Sequence, residues 1–323
     1  MNAEVANLPG GFSPLRPARK WRAHLIAAAA YWLAVVAAGT GMFLVVHAVG
    51  VPTVPSTAAD GGTTSGAGKG SSGRSRVRTG LLIGGTGTGL AVLEVIGAMF
   101  EKETGIAVRV APSIGTSGGL AALADGVLDL AWTSRSLEAA ELESFESVEL
   151  AMARVILAGG RLADTTPLTP REVVALYGGE RYAWPDGTPV VVLLREPGDS
   201  GTRIFGKVVE GFSAAHDQAV KSRFWRTELS DQAMQRALLD CPGSVGLFDW
   251  GTIVGLELPL RQIPVLSRPG GVPLIAVRPL SLVARRGGPD PDVRRFLDFC
   301  SGSKVQGLLA AWGYVVHPPE GSR

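Results

Sequence analysis

Apolar residues follow two patterns along this chain: one long unbroken run near the amino terminus, and then short runs that alternate with amphipathic segments. Residues 25–51 contain no Asp, Glu, Lys or Arg. The run is longer than the ~20 residues needed to cross a bilayer and longer than the roughly 7–15 residues of a signal-peptide core. It therefore predicts a retained transmembrane anchor, with a cleaved signal peptide as the alternative.

The segments on either side of this run predict its orientation and its spacing from the rest of the chain. Four basic residues, Arg16, Arg19, Lys20 and Arg22, precede it, and only Glu4 opposes them. The positive-inside rule then places residues 1–24 in the cytoplasm and everything after residue 51 outside the cytoplasm. Residues 52–78 are rich in Gly, Ser, Thr and Pro, which is typical of a flexible linker.

From residue 79 onward the pattern is that of a globular α/β protein. Apolar runs at 81–84, 106–111, 128–133, 190–195 and 273–285 predict strands, whereas helical spacing at 90–102, 120–124, 203–212 and 291–312 predicts helices. Strands that alternate with helices are typical of parallel sheets covered by helices. We therefore expect an α/β fold with parallel strand pairing.

Charge and composition exclude some classes of function. The formal net charge is +2, and the basic residues of the globular part are scattered, so nucleic acid is not expected as a partner. Cys241 and Cys300 fit no metal-binding spacing and are compatible with one disulfide or with two separate thiols. The four histidines do not cluster, and we expect neither a metal site nor a cofactor.

The first loop with chemical potential is GGTGTG at residues 84–89, between a predicted strand and helix. Glycines let the backbone approach a ligand, and a helix amino terminus offers free N–H groups to an anion. A dinucleotide site does not fit, because the G-x-G-x-x-G spacing is absent and Arg109 and Val110 lie where an acidic residue is required. A plain tight turn remains the alternative to an anion site.

The second loop is GTSGG at residues 115–119, again before a predicted helix. Thr116 and Ser117 would bring two hydroxyls to the helix start. Ser134 ends the next predicted strand, where open α/β sheets bind ligands. The same letters match the G-x-S-x-G motif of hydrolases, so a serine hydrolase that uses Ser117, with His317 as its base, is an alternative function.

The third loop is REPGDSGTR at residues 195–203, after a predicted strand. Arg195 would supply a permanent charge in a planar fork that suits a tetrahedral oxyanion. Ser200, Gly201 and Thr202 would add hydroxyl and backbone donors at the start of the next helix. A solvated surface turn is the alternative interpretation.

Taken in order, these loops resemble the phosphate-binding proteins of ABC transporters, within the periplasmic solute-binding superfamily. The resemblance covers residues 79–316. It rests on the order and spacing of short motifs more than on any single motif. The matching phrases are GTGTG at 85–89, ETG at 103–105, IGTSGG at 114–119, LDLAWTSR at 128–135, Arg195 with SGT at 200–202, CPGSVG at 241–246, FLDF at 296–299 and GYVV at 313–316.

This resemblance implies a type II periplasmic-binding-protein fold, with two α/β lobes joined by a hinge. Residues 79–155 and 272–323 would form lobe 1, and residues 156–271 lobe 2. The protein would not be an enzyme; it would bind phosphate or a similar oxyanion between the lobes and present it to an ABC permease, and we expect a monomer. A membrane-anchored anion sensor without a transport role is a further alternative.

Carried over residue by residue, the resemblance predicts the binding site. The predicted ligand-binding residues are Thr88, Gly89, Thr116, Ser117, Ser134, Arg195, Asp199, Ser200, Gly201 and Thr202. Two departures matter: the best-known members carry an aspartate where this chain has Ser134, and the loop between Arg195 and Ser200 is one residue longer. We hypothesise that Asp199 supplies the missing hydrogen-bond acceptor.

Overall fold

The computed structural model describes residues 80–316, which all belong to one compact unit. The predicted cytoplasmic segment, transmembrane anchor and linker at residues 1–78 lie outside the described residues. No helix between residues 80 and 316 is both long enough and apolar enough to cross a membrane.

The described chain alternates between strands and helices. Its strands are β1 (Leu81–Gly85), β2 (Val108–Val110), β3 (Leu130–Thr133), β4 (Phe145–Gly159), β5 (Val191–Arg195), β6 (Arg226–Glu228), β7 (Ser244–Asp249), β8 (Arg261–Ile263) and β9 (Ala276–Arg285). Its helices are α1 (Leu90–Thr104), α2 (Gly115–Ala124), α3 (Glu141–Ser144), α4 (Pro170–Tyr177), α5 (Ser200–Val208), α6 (Phe212–Ser222), α7 (Asp231–Asp240), α8 (Trp250–Gly255), α9 (Pro291–Cys300) and α10 (Ser303–Ala311).

The predicted helices differ in their limits from those observed, α1 by only two residues at its end and the other three by more. Helix α2 begins at Gly115, five residues before its predicted start at residue 120. Helix α5 begins at Ser200 because the Asp199 side chain accepts a hydrogen bond from the backbone N–H of Thr202 and so caps it. The helix predicted over 291–312 is two helices, because Gly302 has an extended backbone between α9 and α10.

The strands form one hydrogen-bonded sheet in the order β2-β1-β3-β9-β4-β7-β5-β6, with β8 paired to β4. Pairing is parallel in the outer parts, where β1 contacts β2 and β3 and β5 contacts β6 and β7. It is antiparallel in the centre, where the long strands β4 and β9 run side by side. The prediction of parallel sheets was therefore wrong for the centre, where β9 returns beside β4 in the opposite direction.

Two large apolar cores lie along this sheet. The first contains Trp132 of β3, Phe100 of α1 and Phe296 of α9, all fully buried. The second contains Tyr177 of α4 and Phe212 of α6, whose rings are 4.8 Å apart in an edge-to-face arrangement. Strand β4 contributes side chains to both cores, so it connects the two halves of the unit. The predicted lobe limits at residues 155/156 and 271/272 stay a prediction.

Both cysteines are free thiols. Cys241 follows α7 and is partly exposed, whereas Cys300 ends α9 inside the first core. Of the two alternatives that the sequence allows, the structure therefore has two separate thiols. Burial raises the pKa of Cys300 well above the ordinary range, so this thiol stays protonated and unreactive.

Candidate functional site

The carboxyl ends of β1, β3 and β5 open into a cavity of about 410 Å³. Ligands of α/β proteins bind at such strand ends, where loops from neighbouring strands converge. All three predicted loops contribute to the wall. The lining residues are Thr86, Gly87, Ser113, Ile114, Gly115, Thr116, Ser117, Gly118, Arg135, Arg195, Glu196, Pro197, Gly198, Asp199, Ser200, Arg203, Leu229 and Asp231.

A chain of hydroxyl groups joins the loops. The hydroxyl oxygens of Thr86 and Ser134 are 3.0 Å apart, and those of Ser134 and Ser200 are also 3.0 Å apart. The backbone N–H of Ser134 donates to Oγ1 of Thr116 at 3.3 Å. Ser134 is fully buried and lies in the middle of this hydrogen-bonded series. It therefore connects the end of β3 to all three loops.

Arg195 is the predicted cation of the site, and it is buried, with only 6 % of its surface exposed. Its Nη2 lies 3.1 Å from Oε1 of Glu196, 3.3 Å from Oδ1 of Asp199 and 3.7 Å from Oδ2 of Asp231. Burial alone would lower the pKa of this guanidinium, but Asp231, Asp199 and Glu196 together raise it. Arg195 therefore keeps its charge within the protein.

The two acidic neighbours of Arg195 in the third loop behave differently. Asp199 uses Oδ2 to accept from the backbone N–H and the hydroxyl of Thr202, at 2.7 and 3.0 Å. Burial opposes ionisation of Asp199, yet Arg278, Arg195 and Thr202 bring its pKa below the ordinary value. Burial raises the pKa of Glu196, although Arg195 beside it acts in the opposite direction. Asp199 is thus the more firmly charged of the pair.

Arg278 belongs to the site but was not predicted from the sequence. It lies in β9, with 3 % of its surface exposed. Its Nη1 donates to Oγ of Ser200 at 2.8 Å, and its Nη2 donates to Oγ1 of Thr88 at 2.5 Å. Arg278 therefore ties the first loop to the third. An arginine inside an apolar strand pattern was the available signal, because a buried arginine needs partners.

Asp231 was also missed. It is the first residue of α7, far from the three loops in sequence, and its Oδ1 accepts from the hydroxyl of Thr88 at 3.3 Å. The same oxygen lies 3.8 Å from Nη2 of Arg278. An acidic residue in the first turn of a helix is common, so the sequence offered no distinct signal for it.

The predicted site residues are not all brought to the cavity. Thr116, Ser117, Arg195, Asp199 and Ser200 line it. Ser134 contacts Ser200 of this group directly, whereas Thr88 is joined to it through Arg278, which donates to both Thr88 and Ser200.

Three predicted residues have other surroundings. Gly89 precedes α1 in a left-handed conformation, and a Cβ there would lie 3.0 Å from the Leu280 side chain, which belongs to the first core. Gly201 is buried and faces Arg278. Thr202 donates both its backbone N–H and its hydroxyl to Asp199.

Ser117 lines the cavity in the first turn of α2, but its proposed histidine partner, His317, lies outside the described residues. His216, the histidine within residues 80–316, is 3 % exposed and packs against Tyr177 and Phe212 in the second core. Nothing in this arrangement supports the hydrolase alternative. Residues 80–316 also contain no group of three or more His, Cys, Asp or Glu side chains that could hold a metal ion.

A mixed α/β sheet whose strand ends enclose a charged, hydroxyl-rich cavity fits the usual position of a ligand-binding site in α/β proteins. The chain belongs to the PBP superfamily, whose domain profile matches residues 57–253. The resemblance seen in the sequence is thereby confirmed. Among curated proteins, none matches the chain.

Solved structures show the same fold. A protein from Clostridium perfringens, described as a phosphate ABC transporter substrate-binding protein with bound phosphate, has a TM-score of 0.61 at 18% identity; the match covers 74% of this chain and 100% of that one. The periplasmic molybdate-binding protein of Azotobacter vinelandii has a TM-score of 0.52 at 14% identity, covering 74% and 100%. A phosphate transport receptor from Vibrio cholerae has a TM-score of 0.50 at 18% identity, covering 73% and 100%. Identities this low speak for the fold alone.

Proposed function

We propose that this chain is the extracytoplasmic solute-binding component of an ABC importer and binds phosphate or a similar tetrahedral oxyanion. One observation carries the proposal: two buried arginines, Arg195 and Arg278, lie among the hydroxyls of Thr88, Ser134 and Ser200 at the strand ends. Related folds that are described as binding phosphate and molybdate support the choice of an oxyanion.

The chemistry of the site suits an anion that offers several acceptor oxygens. Hydrogen bonds from a guanidinium to an anionic oxygen are about twice as strong as neutral ones. Hydroxyls of Thr116 and Ser200 would add donors from two different loops that line the cavity. An anion that contacts both predicted lobes would favour their approach by hinge motion, with the hinge near the predicted limits at residues 155/156 and 271/272. No bond is made or broken in this scheme, so the proposed role is binding and not catalysis.

The amino-terminal segments fit this role. An anchor at residues 25–51 and a linker at 52–78 would keep the binding unit on the outer side of the membrane, within reach of an ABC permease. Tethering raises the effective concentration of one partner near the other without any new contact. Phosphate binding by a monomer would be sufficient for this delivery.

The test is isothermal titration calorimetry of the purified protein with phosphate, sulfate, molybdate and arsenate. We expect binding of at least one of these anions, and we expect Arg195→Ala to weaken it about 100-fold or more, because the variant loses a charged donor inside a buried site. Arg171→Ala, at an exposed arginine of α4, is the matched control and should leave binding unchanged. Failure of all four anions to bind would contradict the proposal.

A further inference from the structure

Asp231 has a position that capping of its helix does not explain. The side chain of Ser230, the residue before α7, already accepts from the backbone N–H of Ala233 at 3.1 Å and so caps the helix. Asp231 instead lines the cavity, and its side chain is only 14% exposed. Because it is not needed as the cap, its placement calls for another explanation.

Asp231 contacts three separate segments of the chain. Its Oδ2 is 3.7 Å from Nη2 of Arg195, and its Oδ1 is 3.8 Å from Nη2 of Arg278. It also accepts the hydroxyl of Thr88, a predicted ligand donor, at 3.3 Å. On the first loop it touches Gly87, where a Cβ would lie 2.6 Å from Oδ2. One carboxylate therefore bridges the two arginines and a hydroxyl of the site.

The charges around these arginines are unevenly matched. Three carboxylates, those of Glu196, Asp199 and Asp231, lie within ion-pair distance of Arg195. Asp199 is held by its capping bonds to Thr202, and Glu196 is the chain neighbour of Arg195. Asp231 comes from a separate segment of the chain, and its oxygens face both guanidiniums. It contacts the same groups as an entering oxyanion would.

We infer that Asp231 is an affinity-setting residue: its carboxylate is a built-in anion that competes with the solute for Arg195, Arg278 and Thr88. This inference rests on the proposed function of the same site. An oxyanion that binds these groups must displace the carboxylate or lie close to it, and like charges at such distances repel strongly in a site shielded from water. The competing charge weakens binding and makes release to a partner easier.

Asp231→Asn separates this role from a structural one. The asparagine side chain has nearly the same shape and keeps an oxygen for the Thr88 hydroxyl, but it removes the competing charge. We expect the variant to bind phosphate and sulfate about tenfold more tightly, or better, than the parent protein. A residue that merely holds Arg195 in place would give the opposite sign, since its loss would weaken binding.

The measurement is calorimetry of the full protein with phosphate and sulfate. Asp240→Asn, at the exposed far end of the same helix, removes one charge without contact to the cavity and serves as the control. Asp231→Ser is a second variant that also removes the charge, and thermal unfolding verifies that each variant is folded.

Each outcome decides between the possibilities. Tighter binding in both Asp231 variants, with Asp240→Asn unchanged, supports the inference. Equal or weaker binding in Asp231→Asn overturns it, while binding by the parent leaves the proposed function intact. Binding by the Asp231 variants alone supports the inference and contradicts the proposed function of the parent. Binding by none of these proteins overturns both.

Discussion

Asp199 has two structural roles: it caps α5, and it forms an ion pair with Arg195. These roles can be separated, because asparagine is as good a helix cap as aspartate but carries no charge. The hypothesis that Asp199 accepts a hydrogen bond from hydrogen phosphate concerns its other oxygen, Oδ1, in whose place an asparagine that caps with its carbonyl oxygen has an NH2 donor. The side chain therefore allows a test in which stability and selectivity are measured on the same variant.

We predict that Asp199→Asn keeps the cap of α5 but lowers the preference of the protein for phosphate over sulfate. Asp199→Ala should lose both the cap and the preference, and should be less stable than Asp199→Asn by about 1 kcal/mol because the cap is missing. Calorimetry gives the ratio of affinities, and urea unfolding gives the stability. Asp290→Asn, at the exposed cap of α9, is the control. An unchanged ratio in Asp199→Asn would mean that Asp199 is only a cap and an ion-pair partner.

At this scale the sequence predicted the loops but not all of their partners. Four site residues could be predicted because hydroxyls, glycines and an arginine follow the predicted strands, where ligands bind. They are Thr116, Ser134, Arg195 and Ser200. Arg278 and its acceptor Thr88 are 190 positions apart in the chain. No local pattern encodes such a pairing, because it is created when β9 returns between β3 and β4.

At the scale of elements, glycine determines where β1 and α2 approach each other. Gly85 has a φ of 151°, and a Cβ there would lie only 1.9 Å from the carbonyl oxygen of Trp132. Gly119 of α2 packs on the same point, with its own Cβ position 2.8 Å from the Gly85 Cα. Both contacts need a residue without a side chain. Because β1 and α2 can approach so closely, the first turn of α2 lies at the cavity.

We predict that Gly85→Ala destabilises the protein by about 1–3 kcal/mol or more, because the alanine adds both backbone strain and a clash with β3. Urea unfolding measures the change. Gly307→Ala is the matched control: this exposed glycine of α10 has open space around its Cβ position, and alanine there should be neutral or stabilising by about 0.5–1 kcal/mol. Equal stability of the two variants would refute the close approach.

The same contact explains why the start of α2 was predicted too late. A run such as GTSGG has low helix propensity, and its letters favour a loop. Packing of Gly119 against Gly85 supplies what propensity lacks, so the helix begins at Gly115. The length and direction of β4 and β9 were likewise beyond local patterns, because antiparallel pairing depends on residues more than 100 positions apart.

For the whole molecule, His216 connects stability to pH. Burial lowers the pKa of His216 below its ordinary value of 6.5, although Asp217 and Asp199 oppose the shift. The unfolded chain therefore binds a proton near pH 6.5 that the folded protein still excludes. The neutral His216 side chain therefore stabilises the folded protein above pH 6.5. This stabilisation is lost as the pH falls towards the lowered pKa of the folded state.

We predict that the parent protein loses more stability between pH 7.5 and 5.5 than His216→Phe does. Phenylalanine fits the aromatic surroundings of Tyr177 and Phe212 and does not titrate. Urea unfolding at several pH values measures both proteins. Glu196 and Asp249 have raised pKa values and favour the opposite trend, but they are common to both proteins and cancel in the comparison. Identical pH profiles would contradict the assignment.

The return of β9 between β3 and β4 also has a consequence for the order in which the protein acquires its structure. The second core is built from residues between Val155 and Ala276, one continuous segment of the chain. The first core joins Leu81 to residues as late as Tyr314, whose hydroxyl donates to Asp249 at 2.7 Å. The first core therefore closes the longer loop, which costs more entropy, and its amino-terminal strands gain their structure later. In pulse-labelled hydrogen exchange during refolding, amides of β5 and β7 should gain protection before those of β1, and the reverse order would contradict this sequence of events.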